Sequence, residues 1–353
     1  MQGGILDDLL EMPFLGNIGL IMTYKCQASC PHCIINASPQ RTEDLMMDDA
    51  YDWIEQIARY KQGKTFVLSL TGGEPFFDIE KLKTVSEFAG SKGLFVSAVT
   101  NAFWADDAEK AVVLLEEIPD LRMLSISTDV YHQEYIPFER VKNAMAAAET
   151  CHIPYTVSLC TDNYENKDYR RIVEELVQIC DEQRIITAIT FPVGRALQNV
   201  AADGYKYSSE PPVSACAAGS SPIIFPDGRI FACIGPIIDI KGPSPLYLGN
   251  IREQSLDEIL NRAEVNPILH AIRIWGPRKL IQVITEMNGE DLLPDEYIKD
   301  SICDVCYRLF SSPQLIELFE QIAVDEEFIR KVAYGRVFYL KEEQMVVDLD
   351  LER

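Results

Sequence analysis

The chain has 353 residues, 47% of them hydrophobic and 25% charged, the make-up of a soluble globular protein with one large or two modest domains. Acids outnumber bases 55 to 32, for a formal charge of −23, and such a surface repels phosphate backbones and anionic lipid, so no nucleic acid and no membrane is expected as a partner. The opening MQGGILDDLLEMPF lacks the basic stretch and apolar core of a signal peptide, and no apolar run reaches membrane-spanning length; the ten cysteines are therefore expected in a reducing, cytoplasmic setting, where they suit metal ligation better than disulfides.

Strand-like and helix-like segments alternate through the first two hundred residues. Strands are predicted over 18–23, 65–70, 95–100, 124–127, 155–160 and 186–191, and helices over 49–60, 79–91, 107–117, 138–150 and 168–182. This alternation argues for an α/β fold with a parallel sheet, crossover helices and ligands at the strand C-terminal ends. It stops near Gly194-Arg195-Ala196, and 198–212 reads as a linker carrying Asp-Gly, Ser-Ser and Pro-Pro. Beyond it, 223–226 and 230–234 flank Asp227-Gly228 as a hairpin. Residues 255–263, 266–287 and 312–333 read as helices, and 342–353 as a short strand or a loose acidic tail.

Within MTYKCQASCPHC stand Cys26, Cys30 and Cys33. Three thiolates this close can hold three irons of a cubane cluster and leave the fourth open to a small chelating molecule; zinc, with His32 as a fourth ligand, is the other reading of the spacing. After the apolar run FVLSL comes Thr71-Gly72-Gly73-Glu74-Pro75. Gly-Gly at a strand end lets another group approach the backbone, and carbonyls with the Glu74 carboxylate suit an ammonium group. Alone, the segment also reads as a strand-to-helix turn with a solvated glutamate.

Together the two motifs resemble the radical S-adenosylmethionine (radical SAM) superfamily. The resemblance implies an open, partial (β/α)6 barrel over 1–200. It also implies a 4Fe–4S cluster on Cys26, Cys30 and Cys33, with SAM chelated at the open iron. Gly72, Gly73, Glu74 and Pro75 would then hold the SAM ammonium, and His32 would lie near the adenine. Asn101, Ser127 and Asp129 match regions that contact the SAM ribose or the substrate; ordinary turn capping is the alternative for each. His132, just beyond, is a candidate base or substrate contact. Arg195 looks like the sixth-strand motif, where a guanidinium would bind a SAM or substrate carboxylate or hydroxyl. The resemblance also implies a reducing partner such as flavodoxin or ferredoxin.

A second cysteine group follows: Cys216 before the hairpin, Cys233 on its returning strand, and Cys303 with Cys306 as a Cys-x-x-Cys pair expected at a turn. Four thiolates can close a site, for a cluster or for zinc. The pattern resembles the twitch domain, the reduced relative of the SPASM domain, which implies a small α+β iron–sulfur domain over 201–312 with one auxiliary 4Fe–4S cluster. No cysteine follows Cys306, unlike in a full SPASM domain. Residues 313–353 would then be C-terminal helices and an acidic tail.

The expected function is reductive cleavage of SAM, abstraction of a substrate hydrogen, and oxidation of the substrate radical through the auxiliary cluster. The substrate is a small molecule of alcohol or aminocyclitol type, or a ribosomal peptide. Alternation on YTVSLC puts Thr156, Ser158 and Cys160 on the lumen face. A Cys160 thiol there could return a hydrogen atom and make the reaction a redox-neutral epimerisation; an inert buried cysteine is the plain alternative. A non-enzymatic iron–sulfur electron-transfer protein is the further reading, although it needs no Gly-Gly-Glu-Pro segment.

Overall fold

The computed structural model describes residues 14–342, so the opening segment and all but the first residue of the tail read at 342–353 lie outside the described residues. Six parallel strands form where apolar runs were read: β1 (Asn17–Thr23), β2 (Val67–Gly72), β3 (Phe95–Thr100), β4 (Leu121–Ser127), β5 (Tyr155–Thr161) and β6 (Ile185–Ile189), paired in sequence order. The helices α1 (Met47–Arg59), α2 (Ile79–Ser91), α3 (Ala108–Glu116), α4 (Phe138–Thr150) and α5 (Lys167–Leu176) make the crossovers. Each helix follows from spacing and caps. In α2, Leu82, Val85, Ser86 and Ala89 recur at helical spacing and are buried, while the Asp78 side chain accepts from Lys81 N at 3.0 Å to cap the first turn. In α4, Val141, Ala144, Met145 and Ala148 do the same.

The helix predicted over 168–182 is shorter. Its apolar stripe Tyr169, Ile172, Leu176 is buried, but Val177 and Ile179 face solvent, and the Asp181 side chain starts a new turn by accepting from Gln183 N at 3.0 Å. The predicted linker is partly ordered. It holds the short α6 (Ala196–Asn199) and β7 (Tyr207–Ser208), which pairs antiparallel with the distant β11 (Tyr297–Ile298).

The hairpin, β8 (Ile223–Ile224) and β9 (Arg229–Phe231), does not stand apart from the first sheet. Strand β8 pairs in parallel with β1, and β9 carries β10 (Tyr247–Asn250), so one nine-stranded sheet runs β10-β9-β8-β1-β2-β3-β4-β5-β6. Gly19 on β1 admits this contact: a Cβ there would meet Ile223 Cδ1 at 2.5 Å.

Helix α7 (Leu256–Glu264) starts with a capping box made by Ser255 and Glu258. The single helix predicted over 266–287 is two, α8 (Pro267–Trp275) and α9 (Arg278–Glu286). The break is at Gly276-Pro277: Gly276 has φ 78, its missing Cβ would overlap Ser214 O, and Pro277 cannot extend the ladder. The Cys-x-x-Cys pair is not at a turn but in the first turns of α10 (Ile302–Phe310), where Ser301 accepts from Asp304 N at 3.2 Å. The helix read over 312–333 is likewise two, α11 (Pro313–Ile322) and α12 (Glu326–Leu340), because Asp325 caps a fresh start by accepting from Phe328 N at 2.7 Å.

Candidate functional site

The loop carrying Cys26, Cys30 and Cys33 leaves the C-terminal end of β1 and is held from three sides. The Gly-Gly at the end of β2 presses directly on it. Gly73 N donates to Thr23 O at 2.7 Å and Glu74 N to Lys25 O at 3.0 Å, and a Cβ on Gly73 would overlap Lys25 O. The group that approaches this backbone is therefore the cysteine loop itself.

The Glu74 side chain is not solvated. It is fully buried and accepts from Phe76 N (3.1 Å), Thr100 Oγ1 (2.8 Å) and Asn101 N (2.8 Å). Burial pushes its carboxyl up to about 7 against the pull of those donors. Asn101 completes the chain: its Nδ2 lies 3.6 Å from Cys26 Sγ, and its Oδ1 accepts from Gln27 Nε2 at 2.8 Å. Pro75 follows at the first position of a short turn and is buried.

On the third side stands Arg195, which donates to Cys30 O at 2.8 Å and to Ala37 O at 2.6 Å, while its own N donates to Cys33 O at 3.0 Å. The preceding Gly194 has φ 58, and a Cβ there would meet Ile34 O at 2.5 Å. Two of the guanidinium nitrogens are thus given to loop carbonyls rather than directed at a substrate carboxylate.

Beside the loop, His32, Asp129 and His132 converge, with their ligand atoms within 4.8 Å of one another. Asp129 is 1% exposed; its Oδ1 accepts from Tyr131 N (3.0 Å) and His132 N (2.9 Å), its Oδ2 from Cys160 N (3.2 Å). His132 Nδ1 lies 2.9 Å from Asp129 Oδ2, and His32 Nε2 lies 3.6 Å from it. Burial alone would raise the Asp129 carboxyl, but the two imidazoles outweigh it and hold it well below the usual range. Burial pulls His32 down to about 4, whereas for His132 the carboxylate beside it overcomes burial and raises the imidazole. His32 stacks on Tyr131 with centroids 4.8 Å apart, and its Nδ1 is buried without a partner, as fits a ring awaiting a polar ligand.

Cys26 and Cys30 are buried, and burial pushes the Cys26 thiol up to about 12 and Cys30 further. Ala37 N donates to Cys33 Sγ at 3.3 Å. Buried thiols of this kind become thiolates when a metal replaces the proton.

Cys216, Cys233, Cys303 and Cys306 line one apolar cavity of about 20 Å³, together with Leu269 and Ile272 of α8. Cys216 N donates to Ile272 O at 3.2 Å, and Gly235 keeps room beside Cys233: a Cβ there would lie 3.1 Å from its sulfur. Burial pushes Cys303 up to about 12 and Cys233 and Cys306 well above their ordinary value. Four thiols around one cavity, Cys216 and Cys306 buried and Cys233 and Cys303 half-buried, fit a closed cluster by the chemistry of the donor set.

Cys160 is the last but one residue of β5; its N donates to Asp129 Oδ2 at 3.2 Å, and burial raises its thiol. Ser158 on the same face lies 3.3 Å, oxygen to oxygen, from Ser125 and stands opposite Ser127 in the β4–β5 register. Sequence reasoning did not single out Tyr131, Gln27, Thr100 or Gly194. Only Gly194, next to Arg195, had a readable signal; the others act through contacts that join separate strands.

A family model described as the radical SAM superfamily matches residues 20–177, and one described as an iron–sulfur cluster-binding domain, SPASM, matches residues 216–282. The second match includes Cys216 and Cys233 and stops before Cys303. A protein of Bacillus subtilis (strain 168), YydG, named for peptide biosynthesis, is 25% identical over 306 residues, covering 86% of this chain and 94% of its own. Among solved structures, BtrN in complex with AdoMet and 2-DOIA is 13% identical with a TM-score of 0.34, covering 75% of this chain and 89% of its own. Methylornithine synthase (PylB) is 14% identical with a TM-score of 0.41, covering 56% and 60%. No helix among the described residues is long and apolar enough to cross a membrane. The cysteine loop locked at the strand ends and the matches over both cysteine regions make this chain a member of the radical SAM superfamily with a SPASM-type iron–sulfur domain.

Proposed function

We propose that this protein is a radical SAM enzyme that modifies a peptide. Cys26, Cys30 and Cys33 would hold the SAM-binding 4Fe–4S cluster. Cys216, Cys233, Cys303 and Cys306 would hold one auxiliary cluster, as in a twitch domain. When bound, these groups supply reductive cleavage of SAM, a hydrogen-abstracting 5′-deoxyadenosyl radical and an electron acceptor. The chain's own part is positional. Gly73, Asn101 and Arg195 fix the cysteine loop, His32 and Tyr131 offer a stacked aromatic face for the adenine, and the charged Asp129–His132 pair faces the reacting region.

The carrying observation is the place of Cys160 near the C-terminal end of β5, its N donating to Asp129 Oδ2 at 3.2 Å. Strand β8, which lies between Cys216 and Cys233, pairs with β1, which leads into the Cys26–Cys33 loop, and this adjacency supports a substrate radical that loses its electron to the second site. The YydG likeness favours a peptide over a small alcohol.

The same observation supports a second reading, epimerisation. One hydrogen atom leaves the substrate carbon, the Cys160 S–H returns one, and a one-electron reductant with a proton restores the thiol. Anaerobic protein, reduced and given SAM, is expected to release 5′-deoxyadenosine; intact clusters without that product would end the enzymatic reading. With peptides encoded beside the gene, in deuterated water, oxidation removes two hydrogens and epimerisation adds one solvent deuterium.

A further inference from the structure

Helices α11 and α12 take no part in either cysteine site, yet α12 builds a groove with α9 and with the residues just before Cys216. The groove has a volume of about 800 Å³ and is open to solvent. Its floor is aromatic: Trp275, Tyr334, Phe338 and Tyr339, with the Tyr334 and Phe338 rings tilted at 31° and 4.2 Å apart and Tyr339 65% exposed. Its rim carries Arg278, Lys279, Arg330 and Lys331; Lys331 pairs with Glu327 at 2.7 Å and Arg278 with Glu210 at 3.5 Å. In a chain whose acids outnumber its bases 55 to 32, Lys279 and Arg330 stand beside the exposed aromatics to meet an incoming carboxylate. Exposed aromatic rings cost solubility unless something covers them, and the rim selects the sign of what does.

We propose that this groove docks an acidic, apolar-rich segment of the peptide substrate, outside the part that reacts; this rests on the peptide reading above. Apolar side chains would lie on Trp275 and the Tyr334–Phe338 pair, with carboxylates meeting Lys279 and Arg330. The groove is one helix from the second cysteine site. Helix α8 lines the cysteine cavity through Leu269 and Ile272 and reaches the groove through Trp275, and Val213 on the groove wall is three residues before Cys216. A segment held here would feed its neighbouring residues towards the second cysteine site. Glu342 is held by Arg273 and Arg336, and Arg336 is two residues from both Tyr334 and Phe338, on nearly the opposite side of the helix.

The test uses the full chain and a fluorescein-labelled peptide of alternating leucine and glutamate, read by anisotropy. A leucine–lysine peptide of the same length is the control. The acidic peptide is expected to bind with salt-sensitive affinity, and the control not. The double variant Arg330→Glu/Lys331→Glu is expected to weaken binding about tenfold, as is Phe338→Ala. These positions are exposed or half-exposed, and circular dichroism checks the fold. Equal binding of both peptides, or unchanged binding by both variants, overturns the proposal. So does binding that appears only after removal of residues 343–353, which would make the tail the occupant, or a leucine–glutamate peptide displaced only by an acidic one-electron carrier. Peptide-independent release of 5′-deoxyadenosine is measured in the same variants and is expected to be unchanged. If wild type releases none while the groove still binds, the enzymatic reading fails and the docking site stands.

Discussion

Arg195 donates to the carbonyl of Cys30 across 165 residues of sequence, at 2.8 Å, and so ties the end of the sixth strand to the middle of the cysteine loop. Its second terminal nitrogen reaches Ala37 O at 2.6 Å, so the guanidinium bridges two points of the loop. Arg195→Ala is expected to destabilise the chain by about 3 kcal/mol, the lower end for two charged hydrogen bonds to carbonyls worth about 1.5–3 each, and to lower iron retention. Arg195→Lys should rescue little, because one ammonium cannot reproduce the planar fork. Urea denaturation and iron counting measure both; wild-type iron content in Arg195→Ala would remove the clamp.

Gly73→Ala puts a methyl group against Lys25 O, where neither backbone can yield without moving the cysteine loop. A cost of about 1–3 kcal/mol is expected, in the range of overpacked interiors, with a larger fall in SAM-dependent 5′-deoxyadenosine than in folded yield. Normal product release by this variant would show that the Gly-Gly contact does not position the loop.

Glu74 gives a pH prediction. Burial raises its carboxyl from its ordinary value of 4.5 to about 7, so the folded chain binds this proton more tightly than the unfolded chain. Its contribution to stability is fully present below pH 4.5 and is lost as pH rises to about 7. Glu74→Gln, which cannot ionise, is expected to flatten the stability slope in that window. Chemical denaturation at several pH values compares the two, and identical slopes would contradict the raised carboxyl.

The two cysteine groups separate by iron content. Cys303→Ser is expected to lose the second site's iron and keep that held by Cys26, Cys30 and Cys33. The triple Ala variant of those three residues should do the reverse. Cys160→Ala should leave iron and sulfide unchanged, and under the epimerisation reading it should abolish solvent deuterium uptake into the product. Zinc in place of iron in the triple variant would count against the auxiliary cluster.

Periodicity and local spacing carried much of this molecule into view. The six parallel strands, the helices α2 and α4 and the cysteine loop follow from apolar runs, caps and motif spacing, because these depend on neighbours along the chain. Helix breaks were harder. Gly276-Pro277 lies inside an apolar pattern that continues through it, and the clash with Ser214 that fixes the break comes from a separate segment. The Cys303–Cys306 pair looked like a turn because Cys-x-x-Cys carries no helical stripe of its own; burial of Val305 and Leu309 made it a helix.

By itself the sequence determined the chemistry: thiols at cubane spacing, a Gly-Gly strand end and an acidic surface are properties of adjacent residues. Only the tertiary structure decided where those groups aim. Glu74 turned inward to Asn101 and Thr100, Arg195 closed on Cys30, and the Cys160 backbone closed on Asp129. Hydrogen-bond partners and buried neighbours are set by packing between strands far apart in the chain, and local patterns carry no record of which of them will meet.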